Sequence, residues 1–195
     1  SGSQPTLSQG LTGATTSNDY AQSNTDSRYY NESFPGAYIS NPATHTSCKD
    51  LPNVNEMTWY AKEGDPRWDA DELWTTMGHL YKGGMWFKKK AYISGYNSNT
   101  AVDGTDWRTT SNVQSWSASQ TLPSAADANK YFYLPALGYY NAANLAHVGS
   151  YGYYWSSSAW PLGSITGYSM HFGKSFVSMG YERYRGRGFR VGGFE

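Results

Sequence analysis

The stretch DADELWTTMGHLYKGG (Asp69–Gly84) decides the fold class, because it carries the clearest helical rhythm in the chain. Asp69 stands three residues before Glu72 in the manner of a capping box, and Leu73, Met77, Leu80 and Tyr81 recur as one apolar stripe. Gly83-Gly84 then supplies a stop, so the expectation is a helix that buries its stripe in a core. Just upstream, LPNVNEMTWYAKEG (Leu51–Gly64) reads as another helix: Asn53 follows Pro52 as a cap, and Met57, Tyr60 and Ala61 repeat at helical spacing.

Downstream of Met85 the pattern changes to short apolar or aromatic runs separated by Gly, Asn, Asp, Ser and Pro: MWFKKKAYISGY, YFYLPALGYY, GYYWSSS, GYSMHF and GRGFRV. These read as strands joined by loops. From Asn97 to Asn129 the chain is polar, yet it holds Val102, Trp107, Val113, Trp116 and Leu122, so it reads as a loop pinned onto the domain. Two helices followed by several short, mostly antiparallel strands with long loops make an α+β domain. Residues 1–31 are Ser, Thr, Gly, Asn and Gln with few aliphatic side chains, a flexible linker or arm; residues 32–195 form the expected folded domain.

Charged residues make up 15% of the chain and balance to zero, so no global field draws it to nucleic acid or an anionic membrane. Aromatics reach 17%, with 18 Tyr and 8 Trp, the kind of amphipathic rings that recognition surfaces use. No apolar run approaches bilayer length, so no membrane insertion is expected. The single Cys48 permits no internal disulfide and no thiolate zinc site, and it reads as a small buried hydrophobe.

The order of motifs resembles a family. LPNVNEMTWYA (Leu51–Ala61) is similar to the LP-x-x-x-E helix of C-type-lectin-like domains of the formylglycine-generating-enzyme type. YFYLPALGYY followed by VGSYGYYWSSS (Val148–Ser158) resembles the Fibrobacter succinogenes major paralogous domain, and Arg185 to Val191 matches the R-x-x-G-F-x-V close shared by both. The match departs at Gly192, where the family carries Arg. The resemblance implies a C-type-lectin-like fold like that of the variable proteins made by diversity-generating retroelements in phages and gut Bacteroides. It further implies a ligand-binding surface protein, of receptor or adhesin type, whose displayed face near the C-terminus meets a protein or glycan on a cell or phage surface. A structural or adhesive pilus-tip domain with fixed contacts is the alternative, and a formylglycine-type enzyme is disfavoured because no cysteine follows Cys48.

No catalytic residues, metal ligands or cofactors are assigned. Asp103-Gly104-Thr105-Asp106 lacks the alternating carboxylates of a calcium loop and reads as an Asx turn. Asp65, Asp69, Asp71 and Glu72 read as charge at a helix start, and His45, His79, His147 and His171 lack metal-pair spacing. The expected core comprises Trp59, Leu73, Met77, Leu134, Trp155, Tyr168, Phe172, Phe189 and Val191.

The expected display segment lies between GYYWSSS and GRGFRV. There Tyr168, Met170, Phe172 and Val177 alternate as inward anchors of half-buried strands. The expected ligand contacts are Trp160, Ser164, Ile165, Ser169, His171, Lys174, Phe176, Ser178, Tyr181 and Arg183.

Overall fold

The computed structural model describes residues 46–76, 78–141, 144–162, 166–180, 183–184 and 187–195. The expected linker 1–31, the entry to the domain before Thr46, and the core candidate Met77 lie outside the described residues. One helical turn, Thr46–Lys49, precedes helix α1, Val54–Lys62. The strands follow in order: β1 Arg67–Thr76, β2 His79–Lys88, β3 Gln114–Ser117, β4 Tyr131–Pro135, β5 Tyr139–Asn141, β6 Asn144–Ala146, β7 Gly152–Ala159, β8 Thr166–Gly173, β9 Phe176–Met179 and β10 Arg183–Tyr184.

Helix α1 forms where its capping chemistry places it. The Asn53 side chain accepts from Glu56 N at 3.1 Å, and Asn53 N donates to Glu56 Oε2 at 2.8 Å, so two orphan amides of the first turn are satisfied reciprocally. Val54, Met57, Tyr60 and Ala61 form its buried face, while Glu63 and Gly64 close the last turn on the Trp59 carbonyl.

The second expected helix is instead the β1–β2 hairpin, so the two-helix α+β class is corrected: among the described residues the fold is mostly β, with α1 its single helix longer than one turn. The helix-start signal was real in its chemistry but serves a bulge. Asp69 Oδ1 accepts from Asp71 N at 2.9 Å and Glu72 N at 3.0 Å, as a cap would, but within a register shift between Asp69 and Leu73, and Oδ2 accepts from Trp86 Nε1 across the hairpin. Leu73 and Leu80 are 60% and 64% exposed, so the apolar stripe has no core to enter. Trp74 and Tyr81 face each other in register and stack at 5.1 Å, the cross-strand pairing that aromatic and β-branched residues favour. Gly78 takes a positive φ at the turn, and a Cβ on Gly84 would overlap the Tyr133 phenol of β4.

The three strands β1-β2-β4 form one antiparallel sheet. A second sheet is built around β8, which pairs with β7 on one side and with β9 and then β10 on the other, while β9 pairs onward with β3. A small hairpin, β5-β6, is a two-stranded sheet of its own and is tied to the C-terminal segment by a bridge between Tyr140 and Gly188. Between the sheets and α1 lies one core containing Met57, Phe87, Leu134, Tyr154, Met170 and Phe172. Of the expected core, Leu134, Trp155, Tyr168, Phe172 and Phe189 are buried, Trp59 and Val191 pack half-buried at its edges, and Leu73 is outside it. No helix among the described residues is long and apolar enough to cross a membrane.

The long segment from Asn97 is pinned by α1. Asn55, fully buried, donates to the Asn99 carbonyl at 3.0 Å and to Asp106 Oδ1 at 2.8 Å, and accepts from Trp107 N at 2.9 Å. Trp107 is thereby held in the core.

Three outcomes test this fold. Replacing Leu73 and Leu80 by Ser should shift stability by less than about 0.5 kcal/mol each in urea melts, whereas a buried helical stripe would lose several. Asn55→Ala should cost about 2 to 3 kcal/mol in the same assay, because it strands buried polar partners. The Arg108 guanidinium, then Asn55, hold the Asp106 carboxyl below its usual range. Its stabilising share is therefore present above the ordinary carboxylate pKa of about 4 and is lost as pH falls through the lower folded value. Acid titration of Asp106→Asn should accordingly show a smaller loss of melting temperature than the parent over that window.

Candidate functional site: the outer face of the second sheet

Strand alternation divides the side chains of the second sheet between two faces. Tyr168, Met170, Phe172, Val177 and Met179 point into the core and are fully buried. Register carries the opposite face across four strands. One row is Tyr153, His171, Ser178 and Ser115; the next is Gly173, Phe176 and Ser117; and Trp155 stands opposite Ser169.

The face is aromatic. Tyr153 lies parallel to His171 at 4.3 Å with an interplanar angle of 8°, and His171 meets the Phe176 ring edge to face at 5.0 Å. Tyr151 completes the group, 5.3 Å from His171 and 6.1 Å from Phe176. Gly173 makes this possible, because a Cβ there would sit 2.7 Å from the Tyr151 ring and 3.0 Å from that of Phe176.

Half of this face is roofed. The chain end runs beside β7, with Trp155 N donating to the Arg190 carbonyl at 3.0 Å and Arg190 N to the Tyr153 carbonyl at 3.1 Å. Phe189 is thereby set over Trp155 at 4.6 Å and Tyr153 at 5.0 Å, with Tyr139 at 4.8 Å from Tyr153. Arg187 lies over the Tyr139 ring, 5.2 Å from its centroid. Toward β9 and β3 the face opens: Tyr151, His171, Phe176 and Ser178 are half-buried, and Ser115, Ser117 and Lys174 are exposed. Ser178 Oγ donates to Ser115 Oγ at 2.9 Å, which lines up two hydroxyls beside the rings.

The expected contact residues therefore separate. His171, Lys174, Phe176 and Ser178 share the open half of the face or its rim. Ser169 shares the face, yet it is 1% exposed opposite Trp155, so its expected display is corrected. Trp160 is also corrected: it is buried against Tyr168 at 4.9 Å and belongs to the main core. A register shift between Trp155 and Ala159 interrupts the regular pairing of β7 with β8 just before Trp160. Within it, Ser158 Oγ accepts from Val54 N at 3.0 Å, Ser157 N donates to the Pro52 carbonyl at 3.0 Å, and Ser156 Oγ donates to the Tyr168 carbonyl at 3.1 Å. The triple serine docks the start of α1 onto the sheet and turns the chain after it inward. Arg183 lies in β10 with its backbone opposite Gly167, and Ser164, Ile165 and Tyr181 lie outside the described residues.

The sequence reading missed Tyr151, Ser115 and Ser117. The alternation in QSWS (Gln114–Ser117) was the available signal, submerged in a segment read as loop. The other clusters have structural employment. Asp103 Oδ1 accepts from Thr105 N at 2.9 Å and Thr105 Oγ1 at 2.7 Å, and Oδ2 from Trp107 Nε1 and Asn112 Nδ2, so it is an Asx turn that anchors Trp107. The reading of Asp65, Asp69, Asp71 and Glu72 as a helix start is corrected: Asp65 pairs with Arg67, and the others lie in β1. Among the described residues no three His, Cys, Asp or Glu side chains are placed to hold a metal. Among the described residues the open face offers ring surface and hydroxyls, with the exposed Lys174 in the turn between β8 and β9.

No protein-family model, curated protein or solved structure matches this chain. The burial of Trp160 has a direct test. Trp160→Ser should cost about 3 to 5 kcal/mol in thermal or denaturant unfolding, as for other buried large rings; a variant melting with the parent would return Trp160 to the surface.

Proposed function

We propose that the chain is a ligand-binding module, and that its contact surface is the open half of the outer face of the second sheet. Phe176 and Tyr151 supply ring surface, Ser178 and Ser115 supply hydroxyls beside it, and the His171 ring packs between them. One observation carries the reading. A solvent-facing sheet surface ordinarily alternates to polar side chains, yet here the outward positions of β8 and β9 and the adjoining loop bring three rings together without covering them. Partly exposed aromatic rings on a rigid frame are the usual anchors of recognition, since they remove a large area from water at small cost in side-chain entropy. The partner proposed is a protein or glycan of a cell or phage surface, as the motif resemblance implies. In a retroelement-diversified protein the exposed positions would be free to vary, whereas Trp160 and Ser169 would be held by packing.

The test is a screen of the chain against arrayed surface proteins and glycans, followed by Phe176→Ser and Tyr151→Ser on every hit. These substitutions on a half-buried face should lower stability by about 1 kcal/mol, the centre of the usual range. Each should weaken binding by about tenfold or more, the loss typical of an aromatic anchor. Hits that survive both substitutions unchanged would place the contact surface elsewhere.

A further inference from the structure

A cavity of about 290 Å³ opens at the end of the first sheet, away from any residue of the aromatic face. Its walls bring together Asp65 from the turn after α1, Arg67 from the start of β1, Lys88 from the end of β2, Tyr131 from β4, and Asp127 and Lys130 from the segment before it. Asp65 is committed within this group. The Arg67 guanidinium grips both oxygens, Nε to Oδ1 at 2.9 Å and Nη2 to Oδ2 at 3.0 Å, and the Tyr131 hydroxyl donates to Oδ2 at 2.6 Å. Asp127 is likewise engaged, by Lys130 at 2.7 Å on one oxygen and the Ser124 hydroxyl at 2.7 Å on the other.

Lys88 is the third cation, ion-paired with Asp65 but not hydrogen-bonded to it. Its Nζ stands 3.6 Å from Asp65 Oδ2, beyond hydrogen-bond distance, and its side chain is 32% exposed. Three cations and two carboxylates therefore line the cavity, leaving one positive charge that a monoanion balances and a dianion overshoots. Asp65 also adopts φ +48°, a left-handed conformation that a non-glycine residue preceding proline rarely takes. Strain of this kind persists where surrounding contacts over-determine it, and it gathers at ligand sites. Burial pushes the Asp65 carboxyl up, but the hydrogen bonds from Arg67 and Tyr131 outweigh it and hold the group below the usual range, so it stays an anion at neutral pH. Leu122, 48% exposed, and Pro123 add an apolar rim to this polar floor.

We propose that this cavity binds a small organic monocarboxylate, whose carboxylate takes Lys88 Nζ as its donor and whose apolar part rests on Leu122 and Pro123. The site is separate from the aromatic face, and it stands or falls independently of the binding function assigned there. Amide resonances of the whole chain can be followed in NMR titrations with sodium benzoate and sodium acetate, with sodium chloride at matched ionic strength as control. Saturable shifts confined to residues 121–131 and to Asp65, Arg67 and Lys88 are expected with the carboxylates and not with chloride. Lys88→Met should weaken benzoate by about tenfold or more, the loss of one charge-assisted hydrogen bond, while the melting temperature holds. Leu122→Ala should weaken benzoate more than acetate, which keeps the proposal testable if Lys88→Met fails to fold. Non-saturable shifts, shifts equal to those in chloride, or unchanged benzoate affinity in a folded Lys88→Met would each overturn it.

Discussion

The buried amide of Asn55 is the constraint on which the rest of the domain leans. A primary amide taken out of water must find its partners inside the protein. Here those partners are the Asn99 carbonyl, the Asp106 carboxylate and the Trp107 amide, all on a segment some fifty residues downstream. One side chain of α1 thus converts a polar stretch into a fixed wall of the core, with Trp107 as its payload. The opposite end of the same connection is made by Ser158, which accepts the Val54 amide at the start of α1. The helix is therefore held to the loop and to the second sheet by hydrogen bonds as much as by apolar contact.

With α1 on its inner face, the second sheet can afford an unusual outer one. Two consequences of chain tracing meet there. The C-terminal segment lies beside β7 and lowers Phe189 over Trp155 and Tyr153, while Gly173 leaves a gap at the other end into which Tyr151 and Phe176 lean. The outer aromatic layer is thus continuous from a covered half to an open one, with His171 at the boundary between them. Ring packing within the covered half orders the rings of the open half before any partner arrives, which lowers the entropic cost of recognition.

The first sheet has a different character. Its hairpin extends past β4, which pairs only with Gly84 to Lys88, so the distal part of the arm presents Leu73 and Leu80 to solvent. At the opposite end, charged side chains from three successive pieces of chain close around Asp65. Apolar display and ionic enclosure are thereby kept at two ends of a single sheet.

Sequence alone determined what local chemistry determines. The Asn53 cap of α1, the inward parity of Tyr168, Met170, Phe172 and Val177, the Asx turn at Asp103, and the pinning of the segment around Trp107 all follow from spacing and side-chain type. Tertiary structure decided the rest. The amides of Asp71 and Glu72 bond to Asp69 in a helix cap or in a bulge alike; the hairpin adds contacts that only the opposite strand supplies, Trp86 Nε1 on Asp69 Oδ2 and Tyr81 stacked on Trp74. The burial of Trp160 and Ser169 depended on Tyr168 packing against the first, on Trp155 standing opposite the second, and on a roof supplied by residues far along the chain. Local sequence carries the hydrogen-bonding options of each segment; which option is taken depends on surfaces brought to it by distant segments, because burial is a property of the assembled chain.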